Sequence, residues 1–235
     1  RYLIYETQQQ KQQQLTTTYV QLQYVLKIYV ILFIQSRERE REREMRTIVI
    51  MDAGSSGTRA HIYDVAMDSM SYVPVLSNHR SLKQKPGLSR IARTTTGVLT
   101  NQAVKDALRP LLAFVRSETT DYERVPIVLK ATAGLRAILD EHAKEAVMKA
   151  VRGVLKRSEF EFNEDWAQII PGNEEGGLAW IAANYLSGIL NRSDRGGTNG
   201  VIEMGGGSSQ VTFEVREFSL SLSLTYIIKY VYQLI

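Results

Sequence analysis

Two turns rich in glycine and hydroxyl residues constrain this chain most, because each follows an apolar run that ends in an acidic residue. The first is IVIMDAGSSGTR at 48–59, and the second is GVIEMGGGSSQ at 200–210. Consecutive glycines lose much conformational entropy on folding, so they are expected where the backbone conformation requires them. Such turns leave amide N–H groups open to an anion. Two of them in one chain predict two backbone cradles that face one chain of phosphates.

In the first turn, Asp52 closes a predicted strand and Gly57 permits a tight bend. Hydroxyl groups supplement the exposed amides, and Ser55, Ser56 and Thr58 supply them. The turn is neither a Walker loop nor a dinucleotide fingerprint, because neither GxxxxGK[ST] nor GxGxxG fits it. Taken alone, it could equally be a hairpin turn of small residues.

The second turn repeats the arrangement, with Glu203 at the strand end, then three glycines and two serines. An aspartate and a glutamate at two strand ends, Asp52 and Glu203, predict one hard cation held through water molecules, as Mg²⁺ prefers.

Two further segments carry candidate chemistry. In KATAGLR (130–136) a strand runs into a helix, which places Thr132 and the following amides where they can face an anion. Arg136 can either form an ion pair or contact the substrate. In PGNEEGGLAW (171–180), Glu174 and Glu175 begin a helix, and a carboxylate beside a phosphate site is a natural general base for water.

Composition excludes several classes of protein. Hydrophobic residues make up 44% of the 235 residues, so a sizeable core is possible. The net charge of +4 is spread along the chain without a basic and aromatic patch, which argues against nucleic acid binding. The absence of cysteine excludes disulfides and thiol nucleophiles. His61, His79 and His142 lie far apart in sequence, form no metal-ligand pattern, and are expected to be structural or exposed.

Both ends of the chain read as low-complexity sequence. Residues 1–44 include a glutamine tract and an Arg-Glu alternation at 37–44, and a Ser-Leu alternation occupies 219–224. Dinucleotide repeats in translated non-coding DNA would encode both alternations, and Met45 is then the expected natural start. The rival interpretation is a membrane signal-anchor at 19–34, although that segment is short for a span and contains polar residues.

Between these ends the apolar patterns predict a meander followed by alternating helices and strands, which is an α/β arrangement with ligands at the carboxyl ends of strands. We expect Thr100 to cap one helix, Pro110 to kink it, and Asp140 to cap the next, before a helix at 174–190. The predicted strands are 47–52, 59–65, 72–76, 126–131, 167–170, 201–204 and 210–215.

DAGSSGTR, KATAGLR, GNEEGGLAWIAANYL and IEMGGGSSQVTF resemble, in order and spacing, four apyrase conserved regions of the nucleoside triphosphate diphosphohydrolase (apyrase) family. The resemblance implies an α/β, actin-like (ribonuclease-H-like) fold of two lobes with nucleotide phosphates between them. It implies a first lobe at 46–170, the start of a second lobe at 171–216 and a tail outside the family at 217–235.

The resemblance also implies roles for single residues. Glu175 matches the base that activates the attacking water, Ser208 matches a residue that positions that water, and Thr132 lies near the terminal phosphate. Asp52 and Glu203 match the carboxylates that hold the water ligands of Ca²⁺ or Mg²⁺. The phosphate-binding residues that it implies are Ser55, Ser56, Gly57, Thr58, Gly205, Gly206, Gly207, Ser208 and Ser209.

The activity implied is hydrolysis of nucleoside di- or triphosphates, in the secretory pathway or at a membrane, and no protein partner is indicated. Glu203 departs from the usual aspartate by a reach of about 1.5 Å, and a misplacement near 1 Å can cost on the order of 10²-fold in rate. The family's second lobe also continues well past residue 216. A non-catalytic nucleotide-phosphate binder of the actin-like superfamily is therefore the alternative, and another phosphoryl enzyme of that superfamily is a third.

Overall fold

The computed structural model describes residues 45–67, 74–191, 197–214 and 231–234. The proposed membrane segment at 19–34 and most of the tail at 217–235 lie outside the described residues. The strands are β1 (Arg46–Ala53), β2 (Thr58–Met67), β3 (Pro74–Gln84), β4 (Ile127–Ala131), β5 (Ala167–Ile169), β6 (Val201–Met204), β7 (Ser209–Thr212) and β8 (Val231–Leu234). The helices are α1 (Leu88–Thr94), α2 (Val98–Glu118), α3 (Ala133–Arg136), α4 (Glu141–Lys156) and α5 (Gly172–Leu186), and short 3₁₀ turns occupy Tyr122–Arg124, Glu164–Trp166 and Ile189–Asn191.

A five-stranded sheet of order β3-β2-β1-β4-β5 forms the larger part of the fold. The meander β1-β2-β3 is antiparallel, whereas β1, β4 and β5 run parallel to one another. Parallel strands end at the same edge, so Asp52 of β1 lies beside Lys130 of β4 and the first glycine turn lies at that edge. This edge holds the carboxyl ends of the parallel strands, where the sequence predicts that the ligand binds.

Alternation along β1 divides the core between the two faces of this sheet. Val49 and Met51 point toward α1, α2 and α4, which bury their apolar faces on that side. Ile48 and Ile50 point to the other side, where Leu178 of α5 packs against them. The first turn is therefore attached to a strand that is buried on both faces.

Helix α5 lies between the two sheets, because it also contacts the antiparallel sheet β6-β7-β8. Small residues on α5, including Gly176, Ala179 and Ala183, allow this close packing. The hairpin β6-β7 turns Glu203 and Gln210 inward, and they face each other across the two strands. Its outward face is apolar.

Three local predictions differ from the structure. Strand β3 runs on to Gln84 through a polar sequence, since it is an edge strand whose side chains are mostly exposed. Helix α1 begins at Leu88, inside the PGLS segment, where only a turn was expected. Thr100 does not cap α2: the helix begins at Val98 after Gly97, and the Thr100 hydroxyl lies 3.1 Å from that of Thr95. The helix continues past Pro110 to Glu118.

Elsewhere the structure is closer to the predicted caps and element boundaries. Asp140 caps α4 as predicted, since its carboxylate accepts from the Ala143 amide at 3.0 Å. The helix expected at 174–190 begins at Gly172 and ends at Leu186, and the strand expected at 210–215 ends at Thr212.

The prediction that the histidines lie apart is wrong for one pair. His61 on β2 and His79 on β3 are 3.0 Å apart between Nδ1 and Nε2, and Tyr63 stacks on His79. An irregularity in the β2-β3 register, near Asn78 with its positive φ of 49°, aligns them. Burial lowers the pKa of His61, as expected for a neutral core histidine. His142 is exposed, as predicted.

Among the described residues, no helix combines the length and hydropathy that crossing a bilayer requires. The same residues contain no group of three His, Cys, Asp or Glu side chains close enough to hold a metal ion directly.

Candidate active site

The first glycine turn, residues 53–58, is enclosed by backbone from the KATAGLR segment. A Cβ atom at Gly134 would lie 2.7 Å from the Cα of Ser55, closer than real atoms approach. Only glycine therefore permits α3 to lie against this turn. The contact fixes the position of Ser55 relative to the end of β4.

The second turn, residues 204–209, is closed by the Gly205 amide, which donates to the Ser208 carbonyl at 2.9 Å. Its glycines are exposed and lie beside the first turn: a Cβ atom at Gly206 would be 2.8 Å from Oγ of Ser55. The structure thus brings the two predicted cradles into contact at Ser55. The Gly205 amide is bonded within the turn and is therefore not open to an anion.

Glu175 lies in the first turn of α5 and is buried. Its Oε2 atom is 2.9 Å from a guanidinium nitrogen of Arg136 and accepts from Gln210 Nε2 at 3.3 Å. Arg136 also donates to the Ile170 carbonyl at 2.8 Å. Of the two roles left open for Arg136, the structure shows the ion pair.

Ser208 lies next to this carboxylate. Its Oγ accepts hydrogen bonds from Gln210 Nε2 at 2.8 Å and from Arg136 at 3.2 Å. Because the oxygen accepts twice, the hydroxyl proton remains available for donation to a further group. Arg136 and Gln210 therefore orient both Glu175 and Ser208.

Three carboxyl groups influence one another at the edge of the sheet. Burial and the neighbouring Glu175 charge raise the pKa of Asp52 to about 6. Burial, followed by the charges of Glu175 and Asp52, raises the pKa of Glu203 to about 8. Burial also raises the pKa of Glu175, while Arg136 opposes that shift. Burial is the largest cause of all three shifts, and the positive charges of Arg59, Lys83 and Arg136 offset them only in part.

Glu203 is the member of this group with an unsatisfied atom. Its Oε2 is buried and has no hydrogen-bond partner among the described residues. Buried polar oxygens are normally bonded, so an orphaned carboxylate oxygen calls for a water or cation.

The two threonines that were predicted at the site, Thr132 and Thr58, are both buried. The amide of Thr132 donates to the Ala53 carbonyl at 3.2 Å, so that amide does not face an anion as expected. The Thr132 side chain makes no capping bond to the four-residue helix α3. Thr58 is buried in β2, and its hydroxyl has no hydrogen-bond partner in the part of the chain that the structure describes.

The remaining hydroxyl residues lie on the outside of the turns. Ser56 is exposed, and its Oγ accepts from Lys83 Nζ at 2.9 Å. Ser209 begins β7, opposite Met204. Lys83 and Gln210 were not singled out from the sequence as site residues. Gln210 directly follows the GGGSS run, and Lys83 lies three residues before the PGLS segment, so position was the only available signal.

Comparison with known proteins identifies the family. Residues 38–233 match the GDA1/CD39 (nucleoside phosphatase) family. Probable apyrase 4 of Arabidopsis thaliana is 37% identical over 171 residues, which cover 70% of this chain and 32% of that protein. Human nucleoside diphosphate phosphatase ENTPD5 is 34% identical over 184 residues, which cover 75% of this chain and 40% of that protein.

A nucleoside triphosphate hydrolase structure from Neospora caninum superimposes with a TM-score of 0.54 at 20% identity, over 84% of this chain and 43% of that one. The likeness confirms the predicted α/β, actin-like fold. The chain spans about a third to two-fifths of the length of the curated relatives that it matches. With four conserved segments in order and their residues gathered at one edge of the sheet, the chain belongs to the GDA1/CD39 family of nucleoside phosphatases.

Proposed function

We propose that this chain carries the reacting centre of an apyrase-like enzyme, which hydrolyses nucleoside tri- or diphosphates to lower phosphates and orthophosphate. The observation that carries the proposal is the buried Glu175 carboxylate, held beside Ser208 by Arg136 and Gln210. The matched relatives are apyrases and a nucleoside diphosphate phosphatase, which agrees with this chemistry.

Glu175 is the proposed general base. Burial raises the pKa of Glu175 and Arg136 opposes that rise, and a carboxylate with a raised pKa is a stronger base than an exposed one. Ser208 donates its free hydroxyl proton to the water oxygen, while Glu175 accepts a proton from the same water. The attack needs no covalent intermediate on the protein.

The two turns are the proposed phosphate cradle. Ser55, Ser56 and Thr58 offer hydroxyl groups from the first turn, and the amides after Gly205 offer donors from the second. Donors that are already oriented stabilise charge on the transferred phosphoryl group without reorganisation. Thr132, at the end of β4, lies on the same edge and is proposed to face the terminal phosphate.

Asp52 and Glu203 fit a divalent cation bound through water. Both offer only oxygen, which Mg²⁺ and Ca²⁺ prefer, and Glu203 has an unpaired buried oxygen. With no direct three-residue cage among the described residues, water ligands match the habit of Mg²⁺. When bound, the cation would neutralise phosphate oxygens and add positive charge beside Asp52 and Glu203.

The second candidate is a nucleotide-phosphate binder without turnover. One observation favours it: the pKa of Glu203 is raised to about 8, so the side chain is protonated at neutral pH until a cation or base displaces its proton. A longer acidic side chain at this position can also shift the cation away from the phosphates. For either candidate, the likeness to the family favours a location in the secretory pathway or at a membrane.

Phosphate release by the full chain tests the proposal. ATP, ADP, GDP and UDP are incubated separately with Mg²⁺ or Ca²⁺, and orthophosphate is measured. We expect release that a chelator abolishes and that Glu175→Gln lowers by about 10²–10⁴-fold, the usual contribution of a general base.

Glu174→Gln is the matched control, because it makes the same change one residue earlier on the same helix. Equal loss in both variants would show a structural effect and would contradict the role of Glu175. Nucleotide binding without release by the unaltered chain would support the binder, and absence of both binding and release would sink both candidates.

A further inference from the structure

The first glycine turn has a positively charged outer side. Lys83 of β3 pairs in register with Arg59 of β2, and Lys85 follows two residues later. Burial, then the charges of Arg59 and Lys85, lower the pKa of Lys83, so these cations are close enough to repel one another. We call Arg59, Lys83 and Lys85 the basic corner.

In the part of the chain that the structure describes, no counter-ion contacts the basic corner. Among the described residues, none of its three members forms an ion pair with a carboxylate, and Asp52 acts on Lys83 only as a more distant charge. Like charges gathered without a direct partner destabilise the compact state and raise the local concentration of anions. A ligand that carries negative charge would relieve that repulsion.

Lys83 is aimed at the turn and not at solvent alone. Its Nζ donates to the hydroxyl of Ser56 at 2.9 Å, and its stem lies over Gly57, where a Cβ atom would be 2.9 Å from Cε of the lysine. Since the Ser56 oxygen accepts from Lys83, the serine proton is free to be donated outward. The ammonium group and the hydroxyl therefore offer donors from neighbouring points.

We propose that Lys83 and Ser56 form a phosphate-oxygen site on the outer side of the first turn, and that Arg59 and Lys85 supply its attractive field. Lys83 is then a phosphate-binding residue that lies outside the four conserved segments. The ligand is a phosphoryl oxyanion, either the terminal group of the nucleotide or the released orthophosphate. The inference rests on the proposed function, because it takes the first turn as a phosphate cradle.

Anion binding without turnover tests the site. Orthophosphate and ADP are titrated calorimetrically into the full chain in the presence of a chelator, so that hydrolysis does not intervene. Lys83→Met removes the charge and keeps the stem over Gly57, and Lys83→Arg keeps the charge. We expect Lys83→Met to weaken binding about tenfold, the loss of one charge-assisted hydrogen bond, and Lys83→Arg to restore most of it.

The matched control is Lys105→Met, on the exposed side of α2. It removes the same charge away from the turn and is expected to leave binding unchanged. Thermal unfolding in phosphate-free buffer should be the same for all variants, which separates loss of binding from loss of fold. A loss seen with ADP but not with orthophosphate would assign the site to the nucleotide, and equal losses would assign it to either anion.

Equal affinity of Lys83→Met and the unaltered chain would overturn the inference, and so would a loss of the same size in Lys105→Met. Undetectable binding of both anions by the unaltered chain would also overturn it. Failure of the proposed function is distinguishable, because it appears as absence of phosphate release with Mg²⁺ or Ca²⁺ while Lys83-dependent anion binding persists.

Discussion

A guanidinium nitrogen of Arg136 lies 2.9 Å from Oε2 of Glu175, and both side chains are largely shielded from water, with exposed fractions of 17% and 7%. Arg136 ends α3, whereas Glu175 lies in the first turn of α5, so the pair joins two consecutive segments of the four that resemble the family. Removal of one partner leaves the other charge buried, which costs more than the attraction itself contributes.

Arg136→Ala should therefore lower the free energy of unfolding by about 3 kcal/mol. The exposed pair Arg109–Asp106 on α2 provides the control, because Arg109→Ala breaks an ion pair in water and should cost less than about 1 kcal/mol. Urea-induced unfolding of both variants measures the difference. Similar losses would show that the buried pair contributes no more than a surface pair.

Gly134→Ala should destabilise the protein by about 1–3 kcal/mol, because its new methyl group meets the Ser55 backbone at 2.7 Å. Gly177→Ala makes the same change inside α5, where nothing lies within 4 Å. That control should gain up to about 1 kcal/mol from helix propensity. Thermal unfolding checks both, and a neutral Gly134→Ala would mean that α3 does not need to contact the first turn.

Stability should fall as pH rises through the range in which Glu203 ionises. Its pKa is raised from an ordinary 4.5 to about 8, so the folded state holds the proton more tightly than the unfolded chain. The stabilising effect is complete below about pH 4.5 and is lost by about pH 8, amounting to a few kcal/mol. Asp52 adds the same sign of change over a lower range, between its ordinary 3.8 and about 6.

Glu203→Gln should flatten that dependence above about pH 6, since an amide cannot ionise. Urea unfolding at about pH 5 and about pH 8 measures the slope, and Mg²⁺ should reduce it in the unaltered chain because a cation favours the ionised form. A slope that is unchanged in Glu203→Gln would place its origin elsewhere in the molecule.

Glu203→Asp restores the side chain that is usual in the family. The carboxylate then retracts by about 1.5 Å, and we expect tighter Mg²⁺ binding with an increase in phosphate release of up to about 10²-fold. Calorimetric titration of Mg²⁺ and the release assay measure the two effects. Glu118→Asp, on the exposed end of α2, is the control, and a decrease in both quantities would show that the second turn is adapted to glutamate.

The fold was predictable where side-chain pattern and burial agree. The run at 47–52 is largely apolar on both faces, and β1 is buried on both sides along most of its length. The side-chain pattern did not predict the full length of β3. An edge strand can be polar along most of its length, and its sequence then resembles that of a loop. The pattern also failed at Thr100, where the backbone of Gly97 and not a hydroxyl group begins the helix.

The site was predictable in its residue types but not in its contacts. Asp52 and Glu203 were chosen from strand ends, whereas the family resemblance singled out Glu175 and Ser208, and the roles of all four stay predictions. Cross-strand register, which a local pattern does not contain, decides that Lys83 reaches Ser56. The contact of His61 with His79 depends in the same way on the irregular pairing of β2 with β3.

The bonds between Arg136 and Ser208 join residues 72 positions apart, while those between Gln210 and Glu175 span 35. Arg136 and Glu175 are themselves 39 positions apart (175 − 136), so the order of synthesis, and not the sequence separation, distinguishes their ion pair from the Gln210 bond. At a synthesis rate of about 5–20 residues per second, the first turn exists for on the order of ten seconds before the second emerges. Of the two side chains that contact Glu175, Arg136 is synthesised before it and Gln210 after it, so the ion pair is the first of these contacts that the growing chain can form.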